Sequence, residues 1–474
     1  MPFGLSALAG RSLALARSVA FALALLTDLP AAALAQAPPA RAIEVPTHGG
    51  PTLTIDASVL FHTIASDFFL EDDGTVYVQT GDIPAMWLRD SAAQTTPYVR
   101  FAPGHPQIAD TVRRVIRHNV RNVITDPYAN AFTAAYKIWE QKWEVDSLAF
   151  PITLIWSYWE RTHDRSIFNE RLRWMLEAVV ATYDCEQHHQ TCSHYRYGEL
   201  PNHGAGAAFA PTGMIWTGFR PSDDAAVYPF NIPQNMLAVV ALHELAVLAG
   251  EGYRDQPLAE KALGIALVAR QGIERYGRVY DMRRGWIYAY EVDGLGEALL
   301  AGDANLPNLI SAAYFGYLSP DDPLYRTTRG FVLSSDDPYF FHGSYADGVG
   351  SAHTPPGWIW PLGIITRGLT ASDLVETADA VRSLVATDGN DGLVHESFNP
   401  RLPWRFTRAE FGWANAMYAE LIFRTAVGMR EEHFMPQTVP ALFPSTARTP
   451  VLAGRTTQWR NRAALERVLR EMFR

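Results

Sequence analysis

The chain has 474 residues, a formal net charge of −10 and a pI near 5.8, so it carries no basic footprint for nucleic acid or an anionic membrane surface. Apolar residues make up 48%, enough for a large core, and no Ser/Gly-rich linker or block of charge divides the chain, so one large domain is expected.

At the N-terminus, Arg11 and Arg17 precede a short apolar run over 18–26, and Ala33-Leu34-Ala35 supplies a small-x-small site before Gln36. Residues 1–35 read as a secretory signal peptide, which implies a periplasmic or secreted protein whose folded domain is 36–474. The run is shorter than the ~20 residues of a membrane span, Asp28 and Pro30 interrupt it, and no later segment reads as a span.

Helical periodicity dominates the rest. Ile108, Val112, Val115, Ile116 and Val120 form a 3.6-period stripe with Arg on the other face. Similar runs cover 147–161, 167–183, 235–250, 257–275, 306–318, 321–334, 357–369, 371–386, 409–428 and 459–473. The stretch 237–248 is apolar nearly all round, as an inner helix would be. Residues 75–78 and 277–280 have strand character. The pattern is all-α, a set of helical hairpins suggesting a toroid, with a helical-repeat solenoid as the alternative. Cys185 and Cys192, the two cysteines, favour a local disulfide in an exported chain. His188, His189 and His194 nearby match no standard zinc spacing.

Three motifs carry chemistry. Residues 81–91 (GDIPAMWLRDS) offer an indole, a guanidinium, a carboxylate and a hydroxyl in Trp87, Arg89, Asp90 and Ser91, the groups that stack on and hydrogen-bond sugars. A buried turn with an Arg–Asp ion pair is the competing reading. Residues 216–224 (WTGFRPSDD) place Asp223 and Asp224 after an Arg-Pro corner, where one of them has the alternative role of a helix cap. Residues 392–398 (GLVHESF), followed by Phe406-Thr407-Arg408, bring His395 and Glu396. Carboxylates on separate loops among aromatics suit glycoside hydrolysis, in which one is protonated and the other ionised.

In this order the motifs resemble glycoside hydrolase family 125, the exo-acting α-1,6-mannosidases. Further matching stretches are 290–294, 303–305, 336–341, 353–355 and 411–415, so the resemblance runs from Phe61 to Arg424. It implies a closed (α/α)6 barrel as the catalytic domain, an inverting mechanism, and no metal or other cofactor. The implied substrate is a manno-oligosaccharide or N-glycan-derived mannoside, with no obligate protein partner. Carried onto this sequence, the general acid is Asp223, with Asp224 as the second candidate, and the general base is Glu396. An inverting pair is separated by roughly 6.5–9.5 Å to admit water, and an ionised Asp224 beside Asp223 would keep the acid protonated.

Around these two, Trp87, Arg89 and Asp90 are expected to bind the terminal sugar, Arg220 to orient Asp223, and His395 to orient Glu396 or bind a hydroxyl. His353 and Asp303 are read as sugar-binding or loop-capping residues, and Asp336-Asp337-Pro338 as a capped turn. Two positions depart from the family pattern: Gly302 stands before Asp303 where an aspartate is usual, and Ala409-Glu410 follow Arg408 where an aromatic is common. The rival readings are another glycosidase, epimerase or lyase on the same toroid, a non-catalytic carbohydrate-binding protein, and a helical scaffold.

Overall fold

Two kinds of helix build the structure, and their residue patterns decide where each one sits. The computed structural model describes residues 62–428, together with Leu60 and a strand pair, Ala42–Val45 with Leu53–Asp56. The segment read as a signal peptide and the helical run expected over 459–473 lie outside the described residues.

The amphipathic helices are α2 (Pro106–Thr125), α4 (Glu170–Gln187), α6 (Gln256–Tyr276), α7 (Pro323–Val332) and α9 (Leu374–Val385). In α2, Val112, Val115, Ile116, Val120 and Val123 are buried while Arg117 and Arg121 face water. Side chains of Asn169, Asp255, Asp322 and Asp373 accept hydrogen bonds from the first-turn amides of α4, α6, α7 and α9, satisfying donors that a helix leaves open.

The inner helices are buried on nearly every side: α1 (Leu88–Val99), α3 (Val145–Thr162), α5 (Ile232–Val247), α8 (Pro361–Leu369) and α10 (Gly412–Gly428). Helix α1 packs on α3, α3 on α5, α5 on the 3₁₀ turn Leu309–Ala312, that turn on α8, α8 on α10, and α10 back on α1. The ring therefore closes, with α2, α4, α6, α7 and α9 outside it, and the fold is an all-α toroid. Helix α5 and the π-turn that continues it to Tyr253 are apolar and long enough to cross a membrane, but the segment is 94% buried as one wall of the ring.

Two elements depart from what hydrophobic periodicity dictates. Helix α1 breaks the amphipathic rule, because Arg89, Asp90, Ser91, Gln94 and Thr95 are buried along with Leu88 and Ala92. In the run 306–318 the helix shrinks to Leu309–Ala312, held by a capping box between Asn308 and Ser311, and the chain then turns through Gly316 at φ +81°.

Cys185 and Cys192 form the disulfide. His188 instead bonds the Asp184 carbonyl, and His189 bonds Glu186 at 2.6 Å and stacks on Trp216. Opening this short loop with C185S/C192S is expected to cost about 2–3 kcal/mol, since loop closure restrains the unfolded chain. A melting temperature a few degrees lower is the result to look for by calorimetry.

Candidate active site

The amino ends of the inner helices meet at one face of the ring. Helices α1, α3 and α8 begin at Trp87, Glu144 and Trp360, whose side chains do not cap their own helices. They are turned to the site: Trp87 and Trp360 line a pocket of about 280 Å³, and Glu144 reaches Arg89 at its edge. Helix amino ends carry partial positive charge, which favours the carboxylates gathered here.

Arg89, in the first turn of α1, organises the floor. Its Nη1 donates to Glu144 Oε2 at 2.7 Å and to Asp146 Oδ2 at 3.2 Å, its Nη2 donates to Asp223 Oδ1 at 2.9 Å, and its Nε lies 3.3 Å from Asp90 Oδ2. The guanidinium also stacks over Trp413 at 5.0 Å. Asp146 is fixed from its other oxygen by Gln234 of α5 at 2.6 Å, and Ser147 donates to Glu144 Oε2 at 2.8 Å.

Four carboxyl groups thus share one guanidinium, three of them buried and Asp223 partly open to the pocket, and such crowding works against all four being ionised. Burial pushes Glu144 well up, and the charge of Asp223 adds to this against the pull of Arg89. Asp90 is pushed up to about 6 by burial. Burial also acts on Asp223, but Arg89 and a hydrogen bond from Glu144 outweigh it and hold that carboxyl below its usual range.

Asp223 sits at the tip of a tight turn. Its N–H bonds the Arg220 carbonyl at 2.9 Å, Arg220 N–H bonds the Asp224 carbonyl at 2.8 Å, and Asp223 itself has φ +66°. A left-handed backbone at a non-glycine residue is a strained arrangement that surrounding contacts must hold. Glu396 approaches from a different element, at the start of the hairpin Ser397–Asn399 with Leu402–Thr407. It is 8% exposed, and Arg408 Nη1 stands 3.8 Å from its Oε1. Arg408 is in turn anchored by Asp82 at 2.7 Å and by the Thr80 carbonyl at 2.6 Å, and it lies over Phe411. Trp87, Trp360, Phe411 and Trp413 supply the aromatic walls.

The metal-independent α-mannosidase family model, glycoside hydrolase family 125, matches residues 51–423. The chain belongs to glycoside hydrolase family 125. It is therefore a glycoside hydrolase of the α-mannosidase class, on the toroid described above. A metal-independent α-mannosidase from Streptococcus pneumoniae, solved in a non-productive complex with α-1,6-mannobiose, is 37% identical and superposes with a TM-score of 0.76, covering 78% of this chain and 92% of that one. The meiotically up-regulated gene 157 protein of Schizosaccharomyces pombe is 34% identical over 411 residues, 78% of this chain and 79% of that protein. A bacterial glucoamylase complexed with acarbose, 14% identical, aligns with 72% of this chain and 49% of its own at a TM-score of 0.55, a likeness of fold alone.

Set in this family-125 site, Trp87, Arg89, Asp90, Asp223, His353 and Glu396 line the pocket as a group. The other four expected residues stand behind it. Arg220 does not orient Asp223 with its side chain: the guanidinium forms a bidentate pair with buried Glu291, at 2.6 and 3.0 Å, and only its backbone carbonyl touches Asp223. His395 does not reach Glu396, because it stacks flat on Phe406 with centroids 3.6 Å apart and its Nδ1 faces the Ala409 carbonyl. Asp303 accepts from the backbone and side chain of Asn305, both at 2.9 Å, so it places Asn305 in the pocket wall. Asp224 bonds Ser222 and His353, each at 3.0 Å, and that contact raises the histidine's pKa.

The departures from the family pattern acquire physical reasons. A Cβ on Gly302 would lie 2.2 Å from Asp337 Oδ2, and Gly302 N–H bonds Asp337 Oδ1 at 2.9 Å. Glu410 pairs with His62 at 2.6 Å, and its carbonyl takes the Asp82 amide beside the Arg408 anchor.

Proposed function

We propose that this α-mannosidase is exo-acting, releases terminal mannose from α-1,6-linked mannosides with inversion, and uses Asp223 as acid and Glu396 as base. One observation carries the reading: two carboxyl groups from unconnected loops enter one small pocket walled by indoles and guanidinium groups. At about 280 Å³ the pocket falls just below the usual span of ligand sites, ~300–1,000 Å³, which suits a terminal sugar better than an internal stretch of chain. The mannobiose held by the Streptococcus relative supports the linkage. The N-terminal segment read as a signal peptide supports export to the periplasm or beyond.

In this scheme the sugar stacks on Trp87 or Trp413, and Asp90 and Asn305 take its hydroxyl groups. Asp223 protonates the glycosidic oxygen as the C1–O bond breaks. Glu396 takes a proton from the water that forms the new C1–O bond on the opposite face. Proton NMR of α-1,6-mannobiose during early hydrolysis tests the stereochemistry. β-Mannose is the expected first product. First release of α-mannose excludes the water-activating role for Glu396, and inert mannobiose beside a cleaved α-1,2, α-1,3 or α-1,4 substrate excludes the linkage.

A further inference from the structure

Glu144 has no place in the acid–base pair just described, yet it is a fully buried acid on the same guanidinium as Asp223. It takes Arg89 Nη1 and Ser147 Oγ on Oε2, and its Oε1 is a buried oxygen with no hydrogen-bond partner among the described residues. The same guanidinium that holds Glu144 by Nη1 holds Asp223 by Nη2. Two carboxyl groups drawn together on one guanidinium repel each other when both are ionised, which favours a shared proton, and here each has its own arm of that fixed cation.

We propose that Glu144 is a positioning residue for the acid step: it shares one proton with Asp223 across the Arg89 fork and yields it as Asp223 protonates the leaving oxygen. This rests on Asp223 being the acid. Moving the proton from Glu144 to Asp223 shifts negative charge between two arms of the same guanidinium, so neither form leaves an unpaired buried charge. When the glycosidic C1–O bond breaks, its electron pair takes the proton from Asp223. The pair is then left with both carboxylates ionised under Arg89. The proton from the attacking water rests on Glu396, leaves to solvent, and the pair is recharged from solvent. Facing the pair are Arg89 and Asp90 of α1, Asp146 and Ser147 of α3, and beside them Lys142 and Tyr195. A second carboxyl also gives the resting site a further proton source, since Arg89 works against the protonated form of Asp223.

E144Q keeps a group able to accept from Arg89 and donate to Asp223 but has no proton to yield. Its kcat on α-1,6-mannobiose is expected to fall about 10²- to 10⁴-fold, the range of a lost acid–base contribution. Its kcat on α-mannosyl fluoride, whose leaving group needs no proton, should change little. The alkaline limb of kcat/KM on mannobiose should move to lower pH, because Asp223 under Arg89 then holds its proton alone. At neutral pH, an infrared difference spectrum should show one protonated-carboxyl band lost from wild type to E144Q.

Equal losses on both substrates with an unmoved limb would overturn the proposal and leave Glu144 as a mere anchor for Arg89. D223N, run in parallel, separates the two levels. If it lacks the same leaving-group selectivity, the acid assignment fails and the proposal with it. If it shows that selectivity and E144Q does not, only the role of Glu144 fails. Should E144Q not fold, E144D on its shorter arm decides the matter by the same substrate comparison.

Discussion

Glu396→Gln is expected to lower turnover of α-1,6-mannobiose by about 10⁴-fold, the upper end of an acid–base contribution, while the variant still binds the disaccharide. The argument is one of charge and position. Glu396 is nearly buried, and its neighbour Arg408 is held off at 3.8 Å by its bonds to Asp82 and Thr80, too far for a tight salt bridge to occupy the carboxylate. Such a carboxylate is available to take a proton from water. An amide of the same shape fills the same space and leaves the aromatic walls untouched, but it cannot become protonated by that water. The loss therefore belongs in kcat, with the dissociation constant for mannobiose, read by calorimetry, changed little. Turnover surviving within tenfold of wild type would remove Glu396 from the base role and leave the site without its second carboxylate.

How much of this was legible in the sequence depended on whether a residue's partner lies nearby in the chain. Helix α2 shows its apolar stripe and α5 its unbroken apolar surface, so both are readable from periodicity. Helix α1 is not, because its buried face carries Arg89, Asp90 and Gln94, and a helix that lines a polar site has no amphipathic pattern to display. The three motifs carry Trp87, Asp223 and Glu396 to the lining of one pocket because each motif is a local turn or strand end. They misled about the immediate neighbours. Successive residues in extended chain point to opposite sides, so His395 stacks on Phe406 while Glu396 enters the pocket. The same applies at the turn, where the side chain of Arg220 leaves for Glu291. Glu144 and Asp146 gave no signal, since two acids in a Trp-Glu-Val-Asp-Ser stretch mean nothing until Arg89 arrives from another helix. Trp413 and Arg408 lay inside quoted stretches, but the turns that aim them at the pocket, including φ +47° at Arg408, have no local sequence mark.

Arg89→Met should be the most damaging single change to stability in the site. Wild type balances Asp90, Glu144, Asp146 and Asp223 with one buried guanidinium, and removing one partner of a buried ionic group typically costs about 3–5 kcal/mol. A methionine fills the volume but leaves carboxyl groups with no cation in a dry site. Without Arg89 the largest influence opposing burial is gone, so the already raised folded-state pKa values of Asp90, Glu144 and Asp146 rise further and that of Asp223 is no longer held down by the guanidinium. A carboxyl whose folded pKa lies above its unfolded value binds more protons in the folded state. Its contribution is fully present below the unfolded value and is lost as pH rises through the folded one. The variant should therefore be least stable at and above neutral pH and should recover toward wild type as the pH falls through the folded-state values toward about 4, where these groups begin to protonate in the unfolded state as well. Thermal melts of wild type and R89M across pH 4.5 to about 8 measure this directly. A gap that widens toward acid, or does not change with pH, would mean that the four carboxyl groups are not what Arg89 restrains, and that its contact with Trp413 carries the stability instead.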